Sequence, residues 1–121
     1  MGNQIAINLQ CPHGSEVLLA SGTHVYEYEL GAMAAWSGAL PRVLPAPGGR
    51  LHPEQIAEAV HSDEYYMARA ALLVLENTHN NAGGTLISEG QQRELIDMAR
   101  SLDLSVHLDG ARVFNAAVAL G

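Results

Sequence analysis

The chain alternates between short apolar runs and longer stretches in which apolar residues recur every three or four positions. Ala70-Ala71-Leu72-Leu73-Val74-Leu75 is apolar throughout, as expected of a strand covered on both faces in a parallel sheet. Glu16-Val17-Leu18-Leu19-Ala20 reads as a second buried strand, set off by a turn at residues 12–15. Ser105–Asp109 alternates instead, so His107 and Asp109 take one face and Val106 and Leu108 the other. Arg42-Val43-Leu44 is a short extended piece between prolines, followed by the loop Pro47-Gly48-Gly49. Helical spacing runs through residues 25–36 and ends at Ser37-Gly38. It returns after Leu51-His52, where Pro53 suits a first turn and Ile56, Ala59 and Val60 form the apolar side. Ser88-Glu89 opens another helix: Ser88 and Gln91 are spaced for a capping box, and Leu95, Ile96, Met98, Ala99 and Leu102 share a side. Residues 112–120 make the last helix. Ile5, Ile7 and Leu9 fit a strand by alternation and the end of a helix by propensity, and residues 61–64 are a polar connection.

This order of strands and helices predicts an α/β fold, a mostly parallel sheet with helices on its faces. The 121 residues suit one domain or part of one, and 48% apolar with 16% charged residues is globular composition. A net charge of −7 without a basic cluster argues against nucleic acid or an anionic membrane as partner. There is no apolar run of bilayer-spanning length and no signal-peptide pattern at the start. Cys11 is the only cysteine, which excludes an intrachain disulfide and fits a reducing, cytoplasmic setting. All six basic residues are arginines. Chemistry that needs a lysine amine is therefore not completed by this chain alone.

Three polar clusters follow three of the strands: His24, then residues 76–80, then Asp109 with Arg112. In a parallel sheet such segments converge at one edge, where ligands bind. Each also has a purely structural reading. Asp109 suits a helix N-cap or an ion pair, Arg112 a surface or pairing arginine, and His24 a packing residue. Glu76-Asn77-Thr78-His79-Asn80 suits a hydrogen-bonded turn. Tyr26 and Tyr28 read as packing residues. His107 and Asp109 have no third ligand at metal-site spacing, so no metal site is assigned.

Leu75-Glu76-Asn77-Thr78-His79-Asn80, followed by His107-Leu108-Asp109-Gly110-Ala111-Arg112-Val113-Phe114-Asn115-Ala116, resembles the low-specificity L-threonine aldolases. These belong to the aromatic amino acid β-eliminating lyase group of pyridoxal-phosphate enzymes. Residues 23–38 resemble the family's histidine-bearing stretch, and Met1-Gly2-Asn3-Gln4 the end of its phosphate-binding motif. The resemblance implies the three-layer α/β/α large domain of fold type I, with pyridoxal 5'-phosphate as cofactor. It implies that Asp109 pairs with the pyridine nitrogen and that His24 stacks on the ring and assists catalysis. Gly2 and Asn3 would lie beside the phosphate. Arg112 would bind the substrate carboxylate, with Glu76, Asn77 and His79 lining the substrate region. The implied reaction cleaves L-threonine or L-allo-threonine to glycine and acetaldehyde. A β-eliminating lyase or another β-hydroxy-amino-acid aldolase of the same fold is the alternative. A homo-oligomer, dimer or tetramer, is implied for the full-length parent. Tyr66 stands where some members carry a second active-site histidine, and the cofactor-bearing lysine has no counterpart in the chain. Residues 1–121 are thus expected to be part of the large, cofactor-binding domain, and inactive on their own.

Overall fold

The apolar run at residues 70–75 forms β3 (Ala70–Glu76), an inner strand of a four-stranded sheet in the computed structural model, which describes residues 1–61 and 64–121. The other strands are β1 (Glu16–Ala20), β2 (Leu40–Leu44) and β4 (Ser105–Asp109). All pairings are parallel and the order is β2-β1-β3-β4. From β1 the chain steps outward to β2, then crosses to the other side of β1 for β3 and β4. The sheet therefore has a topological switch point between β1 and β3, and the carboxyl ends of these two strands border the crevice where such folds bind ligands.

Among the described residues the α-helices are α1 (Gly2–Gln10), α2 (His24–Glu27), α3 (Ala32–Ser37), α4 (Pro53–Ala59), α5 (Glu89–Ser101) and α6 (Val113–Leu120). Strand alternation divides the core into two layers. Leu18, Leu73 and Leu75 face α4 and α5, beside Ile56, Leu95 and Ala99. Val17, Leu19, Leu72 and Val74 face α1 and α3, beside Ile7 and Met33. The expected three-layer α/β/α architecture is the observed one. Ser88 caps α5 as its spacing predicts: its hydroxyl accepts the Gln91 backbone N–H at 3.3 Å, and Gln91 reciprocates.

Of the two readings open for residues 1–10 the helix is the observed one, because Gln4 and Ile7, three apart, are buried while Ile5 and Leu9 face out. Two sequence expectations are corrected. Residues 25–36 form two short helices rather than one. Leu30 and Gly31 adopt φ of 57° and 67° between them, and this left-handed pair turns the chain back toward α1. Tyr26 and Tyr28 are largely exposed rather than packed. The polar connection expected at residues 61–64 falls outside the described residues at Ser62 and Asp63. Among the described residues, no helix is long and apolar enough to cross a membrane.

Candidate active site

Asp109 ends β4 and is 5% exposed. One carboxylate oxygen accepts the Ala111 backbone N–H at 3.3 Å, the other the Asn3 side-chain amide at 3.0 Å. Both donors are neutral, and among the described residues Asp109 has no cationic partner. A buried carboxylate left in that state favours a protonated ligand atom. Asn3 comes from the first turn of α1, whose start lies over the carboxyl end of the sheet. Its amide N–H₂ also reaches Glu29 at 2.9 Å, and its oxygen accepts from His107 Nε2 at 3.0 Å. Burial lowers the affinity of His107 for a proton, against the opposing fields of Asp109 and Glu29. A neutral imidazole that donates from Nε2 fixes which way the Asn3 amide points.

His24 opens α2 just past the end of β1. Its backbone N–H donates to Glu76 Oε2 at 2.9 Å across the switch point. Its ring lies 5.4 Å from that of Tyr28, and Nδ1 is 3.2 Å from Glu29 Oε1. Glu29 stands just before the left-handed turn, and that turn brings its carboxylate back to α1. There it accepts from Asn3 and Gln4 as well as from His24. Burial would raise its pKa, but these three bonds and the imidazole field outweigh it and hold the carboxyl below its usual range. A cleft of about 500 Å³ opens beside His24 and Glu29, walled by Tyr28, Leu30, Ala35 and Trp36.

Arg112 is the N-cap of α6 rather than part of it. Its guanidinium reaches back to the loop after β3. Nε donates to Thr78 Oγ1 at 3.2 Å, Nη1 to Asn80 Oδ1 at 3.0 Å, and Nη2 to the Thr78 carbonyl at 3.1 Å and Glu76 Oε1 at 3.4 Å. Glu76, 4% exposed, thus ties Arg112, the start of α2 and the Asn80 backbone N–H together.

The structure brings His24, Asp109, Asn3, Arg112 and Glu76 to one end of the sheet. The side chains of Asn77 and His79 turn away from that cluster. The Asn77 amide pairs with both backbone groups of Ile87, at 2.9 and 3.3 Å. His79 is 2% exposed and packs under Gly49, where an added Cβ would lie 2.5 Å from its ring. Gly2 is exposed on the first turn of α1 with open space around it, and Tyr66 is exposed away from the cluster. Thr78, Asn80 and Glu29 are the residues that sequence reasoning did not single out. The loop motif names the first two, but nothing local to Glu29 distinguishes it from Glu27. His24, Glu29 and Asp109 each present a possible metal-ligating atom, all within 4.8 Å of one another. The Asn3 amide already bridges the two carboxylates, in the space a cation would need.

A parallel sheet with its polar cluster at the carboxyl-side switch point is the arrangement in which α/β folds bind ligands, and the family model for beta-eliminating lyases matches residues 1–121. The chain belongs to that family, which is one of enzymes. It is 34% identical over 125 residues to low-specificity L-threonine aldolase 1 of Arabidopsis thaliana, covering 100% of this chain and 35% of that protein. It is 35% identical over 119 residues to alanine racemase TOXG of Cochliobolus carbonum, covering 96% and 30%. The solved structure of Leishmania major threonine aldolase superposes with a TM-score of 0.87 at 27% identity, covering 95% of this chain and 33% of that one. The chain spans about a third of the length of the curated relatives it matches.

Proposed function

We propose that the protein carrying this chain is a pyridoxal-phosphate-dependent carbon–carbon lyase that cleaves L-threonine or L-allo-threonine to glycine and acetaldehyde. The observation that carries this reading is the buried Asp109 carboxylate, held by two neutral donors and no cation among the described residues. That donor set fits a protonated pyridine nitrogen. Pyridoxal phosphate, when bound, supplies the electron sink for the pair released as Cα–Cβ breaks. Asp109 keeps the ring nitrogen protonated, and Asn3 and Ala111 keep Asp109 in place. Gly2 and Asn3 open a helix whose N-terminal end favours the phosphate.

Arg112 binds the substrate α-carboxylate. Four of its five N–H donors are engaged in the loop. The fifth, on Nη1, and the neighbouring exposed bond to Asn80 are the ones a carboxylate takes over. Glu76 acts on substrate through Arg112, by setting its orientation. His24 faces the β-hydroxyl and takes its proton as the carbonyl of the aldehyde forms. Asn77 and His79 shape the loop that carries Thr78 and Asn80. The amine that holds the cofactor lies outside residues 1–121, since the chain has no lysine. The active form is a homo-oligomer acting on a small amino acid.

Product analysis on the full-length protein tests the reaction. Glycine with acetaldehyde from L-threonine or L-allo-threonine is the expected result. Ammonia with a keto acid favours the β-eliminating alternative and overturns the aldolase reading. A change of configuration at Cα without cleavage overturns it in favour of a racemase, the activity named for one of the relatives.

A further inference from the structure

Among the groups around His24, one carboxylate touches the imidazole itself. We propose that Glu29 is the positioning residue of this site: it holds His24 by Nδ1 and leaves Nε2 as the nitrogen that meets the substrate. The geometry rests on three observations. Glu29 Oε1 is 3.2 Å from Nδ1, and the Glu29 side chain is 12% exposed against 42% for His24. The carboxylate is itself anchored by Asn3 and Gln4, so it has little freedom to follow the ring. The left-handed Leu30-Gly31 turn that aims it is a strained feature in an otherwise ordinary connection.

The chemistry follows from the inventory of donors. An ionised carboxylate has no proton to give, so the bond requires the proton on Nδ1. In the neutral ring Nε2 then carries the lone pair. Two other acids stand near His24: Asp109, within 4.8 Å of the pair, and Glu76, whose carboxylate is occupied by the His24 backbone N–H, Asn80 and Arg112. Neither has a hydrogen bond to the imidazole. Through Asn3, Glu29 also shares a donor with Asp109, so one carboxylate sets both the base and the register of the ring-nitrogen partner.

The kinetic consequence rests on the lyase reading above, but the tautomer does not. In the full chain with ¹⁵N-labelled histidine, long-range ¹H–¹⁵N spectra assign the protonated nitrogen of neutral His24 directly. A proton on Nδ1 is expected, and a proton on Nε2 in the unsubstituted chain overturns the proposal without recourse to any variant. In folded Glu29→Gln the single tautomer should give way to a mixture, because an amide presents either a donor or an acceptor. An unchanged Nδ1–H signal there also overturns it. In the active full-length protein, Glu29→Gln should lower kcat by about tenfold to a hundredfold with little change in KM. If the tautomer result holds and no aldol cleavage exists to measure, the failure belongs to the proposed reaction and not to the role of Glu29.

Discussion

Arg112 is held by four hydrogen bonds before any substrate arrives, and the chemistry assigned to it depends on the shape of the fork. Arg112→Lys keeps the charge and loses the bidentate geometry. It should raise KM for the amino acid about tenfold to a hundredfold, with a smaller fall in kcat, as steady-state kinetics on the full-length protein will measure. On the proposed pairing of Asp109 with the cofactor's ring nitrogen, Asp109→Asn replaces the paired anion by an amide. Cofactor affinity, followed by absorbance titration, should fall, and the residual activity should drop by at least about a hundredfold. Two groups set the response to acid. Glu29 titrates below its usual range, so its contribution is present above about pH 4.3 and is lost as pH falls through the folded value. His107 resists protonation when folded, so the unfolded chain gains the proton first and stability falls from about pH 6.5 downward. Melting temperature should therefore decline in acid, and His107→Gln should flatten the upper part of that decline. At this scale Asp109 and Arg112 were legible from spacing and resemblance. Glu29 was not, because its partners Asn3 and Gln4 stand 26 and 25 residues away along the chain.

At the scale of elements, the loops after β1, β2 and β3 are fitted to one another by glycine. Gly49 has φ of 74°, and the His79 ring occupies the space where its side chain would be. Gly49→Ala should cost about 1–3 kcal/mol by overpacking, read as a lower urea midpoint at constant slope. His79→Ala makes room for the methyl group, so the double variant should lose less than the sum of the two single changes. Additivity would show that the two loops are not coupled through this contact. The strands and α5 follow from local pattern, since each carries its own signal: continuous apolar residues, alternation, or a capping box. The break between α2 and α3 did not, because residues 25–36 keep a helical spacing and the left-handed turn at Leu30 is imposed by contacts that Glu29 and Met33 make elsewhere. Arg112 moved from helix to N-cap for a similar reason. Its guanidinium is claimed by Thr78, Asn80 and Glu76, and that pull sets where α6 begins.

For the whole molecule, the missing lysine makes a simple prediction. When the chain is incubated with pyridoxal phosphate and reduced with borohydride, mass spectrometry should find no side-chain adduct, and label only at the α-amino group. A trapped adduct on any side chain would sink the assignment of Schiff-base chemistry to residues outside this chain. Composition excluded a spanning helix and a disulfide, and the order of apolar runs was enough for the α/β class. Hydrophobic periodicity is a local property, and burial on both faces of β3 leaves an unmistakable trace in six consecutive residues. What the sequence by itself determined was therefore the strands, most of the helices, the layer architecture, and the identity of the acid and arginine at the end of β4. Only the tertiary structure decided the strand order β2-β1-β3-β4 and, with it, the meeting of three segments at the switch point. It also decided which loop side chains turn into the cluster and which turn away: Thr78, Asn80 and Glu76 toward Arg112, Asn77 and His79 into the packing. The reason is the range of the forces. A side chain's direction in a polar loop is set by the donors and acceptors that distant segments bring to it, and no period in the chain records them.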